Sequence, residues 1–130
     1  PAPLSKVASG GEASRIMLAL KSVTAGVENA GTLIFDEIDA GISGNTALVV
    51  GDKMSAIAGE RQVICVTHLP QIAAQAGTHF FIEKHTKDGK TNTDVRRIEG
   101  EQLIREVARL SGGNITDAAL AHAKELLKMN

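Results

Sequence analysis

The sequence predicts a three-layer α/β fold that ends in an antiparallel hairpin and two helices. Two short apolar runs, residues 32–35 and 62–66, flank a stretch with helical periodicity at 46–58. A strand–helix–strand unit of this size forms a parallel pair with a right-handed crossover. The dipeptide at 88–89, Asp-Gly, lies between two later β-like runs and is a strong signal for a hairpin turn.

The elements follow in order from apolar periodicity and turn residues. A polar start leads into a helix at residues 12–26, which begins just after two glycines. The strands at 32–35 and 62–66 are apolar without alternation, so we expect both of their faces to be buried. The remaining predicted elements are a loop at 39–45, a short helix at 71–76 after Pro70, strands at 79–83 and 91–98, and helices at 101–110 and 116–129.

Composition places the chain among ordinary globular proteins. It has 130 residues, 43% of them hydrophobic and 22% charged, with a net charge of −1. This length predicts a single domain over residues 1–130. The near-neutral charge shows no broad electrostatic attraction to nucleic acid or to anionic lipid. With three phenylalanines as the sole aromatic residues, a base-stacking surface for single strands is not expected.

Other classes of protein are also disfavoured. The sequence has no apolar run long enough to span a membrane. The first residues lack a signal-peptide pattern and an initiator Met, so we expect a cytoplasmic fragment of a longer protein. Cys65 is the single cysteine, which excludes an internal disulfide and a cysteine zinc site and is typical of a reducing compartment.

The first candidate site is the acidic pair that follows the first strand. Asp36 and Glu37 lie at the carboxyl end of a predicted parallel strand, where ligands bind in open α/β sheets. Their side chains point in different directions, so one carboxylate could hold Mg²⁺ while the other orients a water for phosphoryl transfer. Alternatively, they are two strand-end acids that cap a helix or face solvent.

The second candidate is the segment Ser9, Gly10, Gly11 and Glu12, which opens a helix. Ser9 and Glu12 have the spacing of a capping box, which is the structural interpretation. Two glycines at a helix N-terminus also expose backbone N–H groups toward which the helix dipole attracts an anion. The motif alone does not choose between these interpretations.

The third candidate is His68, directly after the second strand. A lone histidine at a strand end is usually structural. Because the ends of adjacent parallel strands lie side by side, however, we expect His68 to lie near Asp36 and Glu37. A neutral imidazole there can hydrogen-bond a terminal phosphate.

The three motifs in this order resemble the carboxyl-terminal half of an ABC-type ATPase head. Residues 4–12, 33–44 and 63–73 are very similar to the RecN family of bacterial DNA repair proteins, and so are 108–113 and 123–127. The resemblance covers essentially the whole chain. Its motifs taken singly are common to ABC ATPases. The residues around His68 and in the loop after Asp39 narrow the resemblance to the RecN family.

The resemblance implies a role for each matching residue. Ser9, Gly10, Gly11 and Glu12 match the signature motif, which contacts the γ-phosphate of ATP held by a partner head. The other matching positions are the Walker B acid Asp36 for Mg²⁺, the general base Glu37, the dimer-crossing D-loop residue Asp39 and the switch histidine His68.

The resemblance also implies the setting. Members of the RecN family are similar to SMC proteins: a long coiled coil joins the two halves of one head, and ATP is held between two heads. The family acts in recombinational repair of DNA double-strand breaks in the bacterial cytoplasm, at the nucleoid. ATP, Mg²⁺, the amino-terminal half of the head, a second head and DNA are therefore the expected cofactors and partners.

One departure from the family pattern is the missing phosphate-binding loop. The sequence contains no Gly-x-x-x-x-Gly-Lys-Ser/Thr, which would supply a backbone nest and a lysine for the phosphates. In the family that Walker A motif and its central P-loop strand lie in the amino-terminal half. We therefore expect this chain to carry half of each active site, to be inactive in ATP hydrolysis alone, and to have a gap between the strands at 62–66 and 79–83.

Two other interpretations stay open at this stage. The chain could be half of another ABC or SMC-like ATPase head, such as a transporter subunit. It could also be a non-catalytic dimerisation module. DNA contact is equally open, because the basic hairpin residues could meet DNA phosphates or form a solvated rim: Lys84, His85, Lys87, Lys90, Arg96 and Arg97.

Overall fold

A computed structural model describes residues 9–24, 30–87 and 90–128. In these ranges it has five helices and four strands. In chain order they are α1 (Gly10–Thr24), β1 (Thr32–Phe35), α2 (Gly44–Ala58), β2 (Gln62–Cys65), α3 (Pro70–Ala73), β3 (His79–Lys87), β4 (Lys90–Ile98), α4 (Gly100–Gly112) and α5 (Asp117–Lys128). The predicted elements are all found, with ends that differ from the prediction by a few residues. The predicted helix ends at 25–26 and 129 and the hairpin turn at 88–89 lie outside the described residues.

The chain divides into two compact units, residues 1–75 and residues 76–130. The first unit contains the predicted strand–helix–strand motif. Strands β1 and β2 are parallel, in a register that pairs Thr32 with Gln62 and Phe35 with Cys65. The pairing continues beyond β2, where the Val66 amide donates to the Phe35 carbonyl at 3.0 Å. The carboxyl ends of the two strands are therefore level with each other, as predicted.

The core of the first unit lies on one side of this strand pair. Leu33 and Phe35 point inward from β1, and Ile38, just after the strand, is completely buried. Helices α1 and α2 and the residues around α3 cover them. The buried cluster consists of Leu18, Leu33, Phe35, Ile38, Ala47, Val50, Met54, Ile57 and Ile72.

The prediction that both faces of β1 and β2 are buried was wrong. Ile34 is 70% exposed, and Ile64 and Val66 are about half exposed. Side chains alternate between the faces of a strand, and the described helices cover one face of the pair. Their continuous apolar sequence thus leaves an exposed apolar strip on the other face, made of Ile34, Ile64 and Val66.

The second unit consists of a hairpin and a pair of helices. Strands β3 and β4 pair antiparallel along their whole length, and Lys87 pairs with Lys90. Two residues therefore connect them, as the Asp-Gly signal predicted. Helices α4 and α5 pack together through Val107, Ala108 and Ala123, which are fully buried.

The described strands form two separate two-stranded sheets, β1-β2 and β3-β4. Each sheet belongs to one of the two units. The sequence analysis expected a gap between the strands that became β2 and β3, where the family has its P-loop strand. The prediction of one domain over residues 1–130 stays a prediction.

Exchange of the buried Ile38 for alanine tests the orientation of β1 and its turn. Ile38→Ala removes a fully buried side chain, so we expect the free energy of unfolding to fall by about 2–5 kcal/mol. Ile34→Ala, in the exposed strip, is the matched control and should change it by about 0.5 kcal/mol or less. Urea unfolding of the wild type and of the two variants measures both changes in the free energy of unfolding. Equal losses would contradict the described burial.

Candidate nucleotide-binding half-site

The start of α1 forms the capping box that the sequence predicted. The Ser9 amide and hydroxyl both donate to Glu12 Oε2, at 2.8 and 2.9 Å. In return the Glu12 amide donates to the Ser9 hydroxyl at 3.3 Å. The hydrogen bonds from the Ser9 amide and hydroxyl lower the pKa of the Glu12 carboxyl, and the Arg15 charge adds to this effect. Glu12 is therefore a carboxylate that fixes the conformation of the segment before the helix.

The first turns of α1 dock on the backbone that leaves β1. The Ser14 hydroxyl donates to the Asp36 carbonyl at 2.8 Å. Arg15 Nη1 donates to the carbonyls of Ile38 and Ala40 at 3.1 and 2.8 Å. These contacts could not be predicted from the sequence, because a serine and an arginine on a helix give no signal for which distant carbonyl they bond. These hydrogen bonds hold the start of α1 against the turn that carries Asp36 and Glu37.

The two glycines of the segment lie directly against Glu37. A Cβ on Gly11 would be 2.7 Å from the Glu37 carbonyl oxygen and 2.8 Å from the Ala40 Cβ. A Cβ on Gly10 would meet Glu37 Oε2, the far end of a flexible side chain. The second glycine thus has a packing reason, since the turn after β1 comes too close to Gly11 for a side chain there.

Asp36 and Glu37 are both exposed at the end of β1. The Glu37 amide donates to Asp36 Oδ1 at 2.9 Å. Glu37 has φ 55°, in the left-handed region, where a residue other than glycine is uncommon and strained. Both acids therefore lie in the turn that contacts α1, through the Asp36 carbonyl and through the close approach of Glu37 to the two glycines.

The exposed carboxylate of Asp36 fits a magnesium ligand. Mg²⁺ is bound by one or two carboxylates together with waters and substrate phosphates, and Asp36 accepts a backbone bond at one oxygen. Over residues 9–24, 30–87 and 90–128, no three His, Cys, Asp or Glu side chains cluster as a metal site.

Asp39 differs from its acidic neighbours because its side chain is 2% exposed. Its Oδ2 accepts from the Thr67 hydroxyl and from the His68 amide at 2.8 Å, and it lies 3.1 Å from His68 Nδ1. The sequence predicts His68 near Asp36 and Glu37; the structure shows it in contact with Asp39, in the turn that follows these two acids. The assignment of Asp39 to a dimer-crossing loop stays a prediction, and its carboxylate is bonded inside its own chain.

Cys65, at the end of β2, lies beside these acids. Burial raises the pKa of its thiol from 9.0 to about 12, and the charges of Asp39 and Asp36 add to the shift. A thiol with so high a pKa is a poor nucleophile. Cys65 therefore acts as a packing residue rather than a reactive one.

The basic residues of the hairpin lie in the second unit and outside the half-site. Arg97 Nε pairs with Glu99 at 2.6 Å, and His85 Nε2 lies 3.6 Å from Asp94. Arg96 stacks over the Phe81 ring at 5.0 Å. These contacts satisfy three of the six basic groups within the hairpin region and favour the solvated rim.

A helix able to cross a membrane is not found in the described part of the chain.

The eight candidate residues all lie in the first unit, and the fold that carries them is that of an SMC-type ATPase head. A solved structure of an SMC ATPase, described for ATP-driven dimerisation and DNA-stimulated activation, matches with a TM-score of 0.52 and 26% identity. The match covers 72% of this chain and 56% of that chain. No family model matches the chain.

Curated relatives narrow the class to one family. The DNA repair protein RecN of Treponema pallidum is 50% identical over 127 residues, 97% of this chain. RecN of Vibrio cholerae is 52% identical and RecN of Bacillus subtilis 47% identical, each over 126 residues. The chain belongs to the RecN family and corresponds to the carboxyl-terminal part of these proteins. It spans about 22% of the length of the relatives it matches.

A methyl group at each glycine tests the contact between α1 and the turn after β1. Gly11→Ala would place its Cβ against backbone and against Ala40, so we expect a loss of about 1–3 kcal/mol in the free energy of unfolding. Gly10→Ala is the matched control, since Glu37 can move aside. It should be neutral or stabilise the helix by up to about 1 kcal/mol. Denaturant titrations distinguish the two, and an equal effect would contradict the close approach.

The raised pKa of Cys65 predicts slow thiol chemistry. At about pH 8 the folded chain should react with iodoacetamide roughly 10³-fold more slowly than the urea-unfolded chain, because its thiolate fraction is lower by that factor. The unfolded thiol loses its proton near pH 9 and the folded thiol near pH 12, so stability should fall as pH rises through this window. Mass spectrometry of timed samples measures the labelling, and equal rates would be contrary to the prediction.

Proposed function

We propose that this chain, residues 1–130 acting as one functional unit, is the carboxyl-terminal half of an SMC-like ATPase head. Complete, that head would hydrolyse ATP within a dimer of heads. The observation that carries the proposal is the joining of three motifs in one compact unit. Bonds from Ser14 and Arg15 hold the signature-like helix start to the turn of Asp36 and Glu37, and Asp39 holds His68 beside it.

The proposed roles divide the reaction among the exposed groups. Asp36 would hold Mg²⁺, which when bound neutralises phosphate charge. Glu37 would orient the attacking water and accept its proton, and His68 would bond the terminal phosphate. The segment Ser9-Gly10-Gly11, at the start of α1, would contact the γ-phosphate of ATP bound on the partner head.

The remaining two residues would shape this site. Glu12 keeps the Ser9 segment in its capped conformation, so its contribution to nucleotide binding would be indirect. Asp39 would act at the turn that faces the second head. The loop that cradles the ATP phosphates would come from the amino-terminal half, because this sequence has no Walker A motif. We expect the chain alone to hydrolyse ATP negligibly.

The family suggests the process that the head serves. The relatives are DNA repair proteins, and the SMC ATPase of similar fold is described as stimulated by DNA. We propose that the complete protein uses ATP-dependent head pairing in recombinational repair of DNA double-strand breaks, in the bacterial cytoplasm at the nucleoid. DNA would contact the complete protein. Because three of the basic hairpin groups already have contacts within the hairpin region, the proposal does not place DNA contact on this part.

Complementation in trans tests the proposal. ATP hydrolysis is measured for this chain, for the amino-terminal half, and for their mixture, with complex formation followed by gel filtration. Activity restricted to the mixture would establish a divided head. A stable complex that binds ATP without hydrolysing it would overturn the catalytic proposal and favour a dimerisation module. Activity of this chain alone would contradict the assignment of the phosphate loop to the other half.

Loss of the proposed base gives the sharpest prediction. In the complete protein Glu37→Gln should keep ATP binding and lower turnover by about 10²- to 10⁴-fold, while the ATP-bound dimer persists longer. Ser9→Arg should keep ATP binding by one head and prevent pairing. Turnover and light scattering with ATP measure these effects. Unchanged turnover in Glu37→Gln would remove this residue from its role.

A further inference from the structure

The second unit has a groove between its hairpin and α4 that the proposed function does not use. This hairpin groove has a volume of about 210 Å³. Its most buried lining residue is Ile98, which is 5% exposed, and the Phe81 side chain is partly buried. Ile115 adds a third large apolar side chain, which is 46% exposed. The hairpin groove therefore offers apolar surface to a ligand.

One face of the hairpin and one side of α4 build the hairpin groove. Phe81 of β3 pairs with Arg96 of β4. Ile98 lies two residues further along β4 and so on the same face of the strand. The lining side chains of α4 are spaced by three and four residues, which places them on one side of the helix. They are Gln102, Arg105, Glu106 and Arg109.

The charged residues of the hairpin groove leave it positive. Arg109 Nε and Nη2 donate to the two carboxylate oxygens of Glu106, at 2.8 and 2.6 Å, so these two charges cancel. Arg96 and Arg105 form no ion pair with an acid in the described part of the chain. The Arg96 guanidinium lies over the Phe81 ring at 5.0 Å, a contact that uses none of its N–H donors in a hydrogen bond. Two arginines are thus able to bind carboxylates.

The size and lining of the hairpin groove favour a polypeptide ligand. Sites for whole small molecules measure roughly 300–1,000 Å³, so a volume of about 210 Å³ suits a side chain that enters from a longer chain. Arginine and aromatic residues are enriched where proteins bind each other. A nucleic-acid base would need an uncovered aromatic ring to stack on, whereas Arg96 lies over Phe81, the one aromatic residue in the lining.

We propose that the hairpin groove binds an acidic peptide segment of a partner protein. An apolar side chain of the segment packs against Ile98, Phe81 and Ile115, and carboxylates on either side of it bond to Arg96 and Arg105. Hydrogen bonds between a guanidinium and a carboxylate are charge-assisted and add geometric specificity. This inference goes beyond the proposed function and does not depend on ATP hydrolysis.

Fluorescence anisotropy with labelled peptides tests the chemistry of the ligand. The probes are three peptides, Gly-Ser-Asp-Glu-X-Asp-Glu-Ser-Gly with an amidated end, in which X is Leu, Ile or Phe. We expect at least one to bind the full chain saturably with a Kd below about 1 mM. Replacing its four acids by Asn and Gln, or X by Ser, should each weaken binding by about 10-fold or more. Equal binding of either control peptide, or no binding of all three probes, would overturn the proposal.

Two exposed arginines supply a matched pair of variants. Arg105→Gln removes a charge that lines the hairpin groove and should weaken peptide binding by about 10-fold. Arg97→Gln removes a charge from the opposite face of β4, where Arg97 pairs with Glu99, and should leave the affinity unchanged. Circular dichroism confirms that both variants are folded. Equal effects of the two variants would show general charge attraction and contradict a site in the hairpin groove.

Methyl NMR and a nucleic-acid probe complete the test. Peptide addition should shift the methyl resonances of Ile98 and Ile115 and leave that of Ile34, in the first unit, in place. Shifts confined to other residues would overturn the assignment of the site. A labelled 12-base-pair DNA duplex is titrated in parallel. If the duplex binds and Arg105→Gln weakens it, while the peptides do not bind, the hairpin groove is a phosphate site and the proposal is wrong.

Discussion

The turn that follows β1 is the constraint on which the arrangement depends. It receives bonds from both sides: Ser14 and Arg15 of α1 bond its carbonyls, and the segment of His68 bonds its buried carboxylate. Glu37 sits in this turn with φ 55°. Such strain persists where surrounding contacts determine the backbone, and here those contacts come from the two segments that carry the other motifs.

The same turn explains why the half-site is precise in a chain that lacks half of the expected active site. Core packing positions the turn through Ile38, which is fully buried next to the strained Glu37. Asp36, Glu37 and His68 are exposed, whereas Asp39, which contacts the segment of His68, is buried and bonded inside the chain.

The sequence was informative wherever the interaction is local. The capping box of Ser9 and Glu12, the parallel pair β1-β2 and the two-residue hairpin connection follow from spacing of three residues, from apolar runs and from an Asp-Gly pair. The contacts of Arg15 and the inward direction of Asp39 could not be predicted, because they depend on which carbonyls and donors the tertiary fold brings near. The exposure of Ile34 was mispredicted for the same reason, since an apolar run does not reveal what covers its second face.

The strip of Ile34, Ile64 and Val66 has a consequence for biosynthesis. Apolar surface of this kind, on a flat pair of strands, attracts other apolar surfaces in proportion to the area it can bury. When this segment is synthesised with nothing packed on the strip, its exposed apolar surface favours aggregation, and chaperones that bind apolar surface counteract it. Recombinant yield of the segment should therefore depend on what is translated alongside it.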